Sequence, residues 1–152
     1  MKTKKIPLKV RTALAAGNIS EANAILGDLY SIKGIVITGR KVGKTIGFPT
    51  ANLKLSETSP LFLANGVYAV KIKYRQTLYH GMANIGIRPT FEQHELTIEV
   101  NLFDFSDDIY GQELTLYFIR KIRDEKKFSG LEELQRQITL DKNLIMEVFS
   151  GV

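Results

Sequence analysis

The chain has 152 residues, 44% of them hydrophobic, with a formal net charge of +5 and a sequence pI of about 9.4. That length suits one domain with a real core. The lack of cysteine excludes disulfides, zinc–thiolate centres and thiol catalysis, and no apolar run is long enough for a membrane-spanning helix. The basic N-terminus has no apolar signal core, so a reducing cytoplasm is expected. The basicity itself is local. Lys2, Lys4, Lys5, Lys9 and Arg11 stand among residues 1–11 without an acid, and the rest of the chain is balanced. A solvated tail is the expected reading, with RNA or membrane contact through that tail as the alternative, and the balance elsewhere disfavours a nucleic-acid partner for the rest of the chain.

In chain order, residues 7–16 are expected to form a short helix, with Pro7 near its first turn and Gly17-Asn18 as the stop. Ser20 is expected to cap a second helix carrying Ala22, Ala24, Ile25 and Leu26, ended by Gly27-Asp28. From Ser31 the pattern turns to strands. IKGIVIT is rich in β-branched residues. GVYAVKIKY alternates, with Tyr68, Val70, Ile72 and Tyr74 on one face and Lys71 and Lys73 on the other. TLYHGMANI is a weaker strand, ELTIEVNLFDF alternates again, and ELTLYFIRKI follows. Five or six strands at short spacing predict an antiparallel barrel or sandwich. At the end, Ser129 to Glu132 reads as a capping box, and Leu131, Leu134, Ile138, Ile145 and Val148 or Phe149 recur at helical spacing. That helix is expected to lay its apolar stripe on the barrel.

Four stretches invite chemistry. GRKVGKT, residues 39–45, resembles a phosphate-binding P-loop but has three residues, not four, between Gly39 and Gly43. It also runs into Gly47-Phe48-Pro49, which opposes the helix a P-loop requires. In GFPTAN, Thr50 and Asn52 lie two apart, so in an extended segment both oxygens point the same way. They could hold a hard cation such as Mg²⁺, or satisfy the backbone of a turn. Glu99 sits mid-strand opposite the face of Leu96, Ile98, Val100 and Leu102, beside Thr97, Asn101 and Phe103. It is either a solvent-facing strand carboxylate or a general base lining a groove. RKIRDEKKF, before the last helix, is a solvated loop or a flap over a ligand. Asp104, Asp107 and Asp108 fail the EF-hand spacing, and His80 and His94 fit no metal motif.

Taken together these segments resemble the riboflavin kinase family. The quoted matches are Gly47 to Asn52, Gly66-Val67-Tyr68, Asn84 to Phe91, Glu99, Asp104-Phe105, Tyr110-Gly111, Arg123 to Phe128 and Gln137 to Asp141, in order over roughly residues 31–145. The resemblance implies a six-stranded antiparallel Greek-key β-barrel with a C-terminal helix, residues 31–152, preceded by a basic tail and helical connector, residues 1–30. It implies ATP-dependent phosphorylation of riboflavin to FMN, with ADP as the other product and Mg²⁺ as cofactor. By the same carry-over, Gly39, Gly43, Lys44 and Gly47 form a flap whose N–H groups wrap nucleotide phosphates without a P-loop. Lys44 stands where many relatives have arginine, so a point charge replaces a fork. Thr50 and Asn52 bind Mg²⁺ with the ATP phosphates, and Glu99 is the base. Arg123, Glu125 and Phe128 close on the flavin. In bacteria such a module often follows an adenylyltransferase domain that makes FAD. The connector motif serving that second reaction reads Ser-Ser-Thr-Arg-Ile-Arg in the family, and this chain has Ile6 to Arg11, IPLKVR, instead. The expectation is a kinase with little or no FAD synthesis, either stand-alone or excised from behind an N-terminal adenylyltransferase. The rival reading is a barrel that binds RNA or a flavin without chemistry.

Overall fold

The computed structural model describes residues 6–37, 50–56, 61–89, 94–105 and 108–151. Two short helices open it, α1 (Leu8–Ala15) and α2 (Ile19–Leu26). The link between them is shorter than Ser20 as a cap would allow. Asn18 is the N-cap of α2: its Oδ1 accepts from the Glu21 N–H at 3.3 Å while its Nδ2 donates to Glu21 Oε2 at 2.7 Å. This reciprocal pair satisfies an orphan N–H of the first turn. Thus Gly17-Asn18 both stops one helix and starts the next. Gly27 ends α2 in the left-handed region, φ 71°, where a residue without Cβ is unstrained.

Among the described residues six strands follow: β1 (Ser31–Ile37), β2 (Ala51–Leu55), β3 (Gly66–Tyr74), β4 (Thr77–Pro89), β5 (His94–Leu102) and β6 (Glu113–Arg123). They close a barrel in the order β1-β2-β5-β4-β3-β6, and every neighbouring pair is antiparallel. Strands β3, β4 and β5 form consecutive hairpins, and β6 returns to lie beside β3, which is a Greek key. Among the described residues, closure gives every strand a neighbour on both sides. The weak strand expected at TLYHGMANI runs on to Pro89, so ANIGIRPTF, which its Gly86 and Pro89 mark as a loop in the sequence, is strand as far as Pro89 because pairing with β5 continues along it. The strand expected to reach Phe105 ends at Leu102, because the chain turns at Asp104 with φ 56°.

The inward faces carry the main core. Ile32, Val36, Leu53, Tyr68, Val70, Ile72, Ile85, Ile98, Val100, Leu114, Leu116 and Phe118 are all buried there, together with Val10, Leu14 and Ile19 from the connector helices. The polar face expected on β3 holds only at Lys71 and Lys73, since Val67 and Ala69 on that same side are also buried. The cause is the final helix, α3 (Leu131–Phe149). Its Ile138, Ile145, Val148 and Phe149 pack over Val67, Ala69, Met82, Phe103, Ile119 and Ile122, making a second core outside the barrel. The apolar stripe therefore engages from Ile138 onward, and Leu131 is 52% exposed. The expected capping box is shifted by one residue. Ser129 Oγ donates to Glu133 Oε2 at 2.6 Å, one turn on, and Gly130 is the N-cap with no side-chain bond.

Candidate active site

The site begins with strand register. Residues two apart in extended chain share a face, so Thr50, just before β2, and Asn52, within it, project together, as do Thr97, Glu99 and Asn101 from β5. Pairing of β2 with β5 sets Asn52 directly beside Glu99. Pairing of β4 with β5 sets Asn84 on the other flank of Glu99. The result is a row Asn52–Glu99–Asn84 across three strands on the outer face of the barrel. Directly opposed side chains in such a sheet have Cβ atoms about 4.5–5.5 Å apart. One step along, Thr50 Oγ1 donates to Asn101 Oδ1 at 3.3 Å, which ties the segment before β2 to β5.

Glu99 is half-buried, and the inner side of its strand is fixed by Ile98 at 2% and Val100 at 0% exposure. Its position is therefore rigid although its head remains reachable. The two flanking amides are unusual. Asn52 Oδ1 and Asn84 Oδ1 are both buried and have no hydrogen-bond partner among the described residues. A buried acceptor left unpaired is costly, and in a native protein it calls for an explanation such as an ion or a ligand. Hard oxygen donors suit Mg²⁺, which takes oxygen ligands and keeps several from water or phosphate. Asn52 Oδ1, with the Thr50 hydroxyl beside it on the same face, fits that demand.

The second part of the site follows β6. Arg123 is expected on the flavin, and the structure shows what its guanidinium holds. Nε donates to Asp141 Oδ1 at 2.9 Å and Oδ2 at 3.0 Å, Nη2 to Oδ2 at 2.8 Å, and Nη1 to the Asp124 carbonyl at 3.0 Å. Gln137 Nε2 donates to the same Asp141 carboxylate at 3.0 Å. Asp141 is fully buried, in the middle of the stripe by which α3 packs. Arg123 thus clamps β6 to α3, and its guanidinium also stands 5.8 Å from the Phe128 ring centroid. The sequence marks Asp141 only as the end of the Gln137-to-Asp141 match; the signal of its structural role is an isolated acid between Ile138 and Ile145.

The loop from Asp124 to Gly130 is pinned at both ends. The Lys121 ammonium bonds Asp124 and holds its carboxyl below the usual range. Ser129 donates to Glu133 through its hydroxyl and its N–H, which lowers that carboxyl likewise. Between the pins, the Glu125 carboxylate lies against β4 at Gly86, close to Thr97 Oγ1. A Cβ at Gly86 would push the tip of the Glu125 side chain aside, so this close approach depends on the glycine. Glu125 therefore borders the row that holds Asn84 and Glu99. Of the expected residues, Thr50, Asn52 and Glu99 come together on one face, and Glu125 reaches its margin. Phe128 is half-buried against Arg123. Gly39, Gly43, Lys44 and Gly47 lie outside the described residues.

A rigid carboxylate flanked by hard oxygen donors can accept a proton from a hydroxyl while a cation-bound polyanion lies alongside. That is the equipment of a phosphotransferase acting on an alcohol. Comparison makes the class particular. The family model described as "Flavokinase: Riboflavin kinase" matches residues 26–149, and the chain belongs to that family. The bifunctional riboflavin kinase/FMN adenylyltransferase of Bacillus subtilis is 46% identical over 146 residues, covering 94% of this chain and 46% of that protein. The Haemophilus influenzae protein of the same description is 45% identical over 144 residues, covering 93% of this chain and 46% of the relative. The chain thus spans less than half the length of these relatives. A solved Streptococcus pneumoniae structure described as a macrolide-efflux protein matches with TM-score 0.87 at 37% identity, over 96% of this chain and 48% of that one. Among the described residues of the present chain, no helix is long and apolar enough to cross a membrane. Riboflavin kinase from Trypanosoma brucei matches with TM-score 0.55 at 24% identity, over 79% of each chain, and shares the fold.

Proposed function

We propose that this chain is a cytoplasmic riboflavin kinase that transfers the γ-phosphate of ATP to the 5′-hydroxyl of the ribityl chain, giving FMN and ADP, with little or no FAD synthesis of its own. The observation that carries it is the register that puts Asn52 beside Glu99, in a member of this family. Thr50 and Asn52 would hold Mg²⁺ together with the ATP phosphates. When bound, the cation neutralises charge on the phosphates. Glu99 takes the proton from the 5′-hydroxyl as its oxygen attacks the γ-phosphorus. The bond to the β-phosphate oxygen breaks, and ADP leaves. Phosphoryl transfer asks mainly for alignment and charge neutralisation, which a sheet face supplies without moving. The segment with Gly39, Gly43, Lys44 and Gly47 covers the phosphates through its N–H groups, and Glu125 and Phe128 meet the flavin, with Arg123 braced by Asp141 behind them. Limited FAD synthesis is supported by the sequence IPLKVR at the place where the family's adenylyl-transfer connector carries serines and a threonine. In the longer relatives an adenylyltransferase half accompanies the kinase half, and such a domain is the partner expected for this one.

The test is incubation of the purified chain with riboflavin and Mg-ATP, followed by chromatography of the products. FMN and ADP in equal amounts are expected, and FMN with ATP should give no FAD. Absence of riboflavin-dependent ADP release would rule out the kinase, and FAD formation would remove the restriction to one reaction.

A further inference from the structure

The Asn52–Glu99–Asn84 row holds one member that the reaction above does not use. Asn84 stands on β4 between Met82 and Gly86 on its own face, and opposite Val67 of β3. Met82 and Val67 are covered by α3, and Gly86 is covered by the Glu125 carboxylate. Asn84 therefore sits where the cover of α3 ends, between an apolar margin and an acidic one. Its Oδ1 is buried without a partner among the described residues. An unpaired carbonyl oxygen is an acceptor only. It cannot bond a phosphate oxygen, which is also an acceptor. Its complement is a donor or a cation. Asn52 is one strand away on the far side of Glu99, so the two amides flank the carboxylate from opposite sides, about two interstrand spacings, roughly 10 Å, apart. The cation that Asn52 and Thr50 are suited to hold lies on the β2 side. The β4 side is left for the body of the molecule whose hydroxyl meets Glu99.

We propose that Asn84 binds the polyol arm of the acceptor, its Oδ1 taking a hydrogen bond from the hydroxyl next to the one that is phosphorylated. In riboflavin that is the 4′-hydroxyl. This deepens the kinase reading and rests on it. A vicinal pair of hydroxyls matches the row: one donates to Glu99, the next to Asn84. Cross-strand spacing supplies the separation, and the bond fixes the arm so that the reacting oxygen points to the β2 side. Asn84 thereby selects for an acceptor with adjacent hydroxyls. It also lowers the cost of its own buried oxygen only when such an acceptor is present.

Flavin affinity is measured by fluorescence without ATP, for riboflavin and 4′-deoxyriboflavin, with wild type and Asn84→Ala; steady-state KM values and melting curves accompany it. Wild type should bind riboflavin about tenfold more tightly than the deoxy analogue, the worth of one hydrogen bond. Asn84→Ala should bind the two equally, with KM for Mg-ATP and magnesium dependence unchanged and melting not lowered. Equal affinity of wild type for the two flavins overturns the proposal without any variant. So does an equal loss for both flavins in Asn84→Ala, or a change confined to magnesium dependence, which would place a cation there. The binding arm needs no turnover, so a wild type that makes no FMN refutes the kinase reading separately. If Asn84→Ala fails to fold, Asn84→Ser takes its place and the wild-type comparison still decides.

Discussion

At Glu99 two roles predict different damage. A strand carboxylate facing water contributes little, and its loss should pass unnoticed. A base beside Asn52 contributes about 10²–10⁴-fold to the chemical step. Glu99→Gln keeps size and hydrogen-bonding reach, and the core side of β5 is carried by Ile98 and Val100. The single-turnover rate of phosphorylation should therefore fall by about 10²–10⁴-fold while flavin and ADP affinity persist. A wild-type rate in the variant would return Glu99 to the passive role. Thr50 and Asn52 belong to the same face but not to the apolar core. Thr50→Ala and Asn52→Ala should each raise the magnesium concentration needed for half-maximal rate, with melting little changed. Titration of the rate against magnesium checks this, and superimposable curves for wild type and both variants would remove the metal assignment.

Among elements, α3 is attached by two unlike means. Ile145 and its apolar neighbours supply area. The Arg123–Asp141 pair supplies direction, because a bidentate fork fixes orientation as well as distance. Desolvation makes such a pair a poor source of net stability, yet removing one partner strands the other charge. Arg123 keeps only 19% of its side chain exposed and Asp141 none. Asp141→Ala should cost about 3–5 kcal/mol and lower Tm by on the order of 10 °C. Because Arg123 also stands against Phe128, the variant should bind riboflavin more weakly at temperatures where it remains folded. Differential scanning calorimetry with flavin titration checks both; a Tm within a degree of wild type would show that the pair is dispensable.

For the molecule as a whole, the connector helices and the barrel share one core. Asn23 joins them: its Nδ2 donates to the Phe118 carbonyl at 2.9 Å and its Oδ1 accepts from the Tyr30 N–H at 2.8 Å. Tyr30 and Tyr68 both pack on the Phe118 ring, at 5.9 and 5.3 Å between centroids. Burial raises the pKa of Tyr30 to about 12, against a smaller lowering effect of a backbone hydrogen bond with Phe62. Burial, aided by the negative charge of Asp124, likewise raises Tyr68 to about 12. The unfolded chain ionises these groups near pH 10. Between pH 10 and 12 it therefore binds fewer protons than the folded protein, and stability falls as pH rises through that window. Below pH 10 the contribution is intact. Urea midpoints should hold steady up to about pH 10 and then decline, with a shallower decline in Tyr30→Phe. A midpoint that does not move between pH 10 and 12 would contradict the burial of these hydroxyls.

Much of the architecture is legible in the sequence. Period-two alternation in GVYAVKIKY and ELTIEVNLFDF is imposed by local backbone geometry, so strands and their faces could be read directly. The same holds for the helix stops at Gly17 and Gly27, and the motif around Thr50, Asn52 and Glu99 named the chemistry to look for. Three things were decided only in three dimensions. Pairing of β2 with β5 selects one register among many, and that non-local choice puts Asn52 beside Glu99. The cover of α3 turns Val67 and Ala69 from a polar face into core and lets Asp141 stay buried by meeting Arg123. Asn84 opens the matched segment Asn84 to Phe91, whose glycine and proline read as a loop, and only its pairing between β3 and β5 makes it a strand residue with a buried oxygen that has no partner among the described residues. Alternation and capping are set by neighbours in the chain, whereas register, cover and satisfaction of a buried acceptor depend on groups that only closure of the barrel brings together.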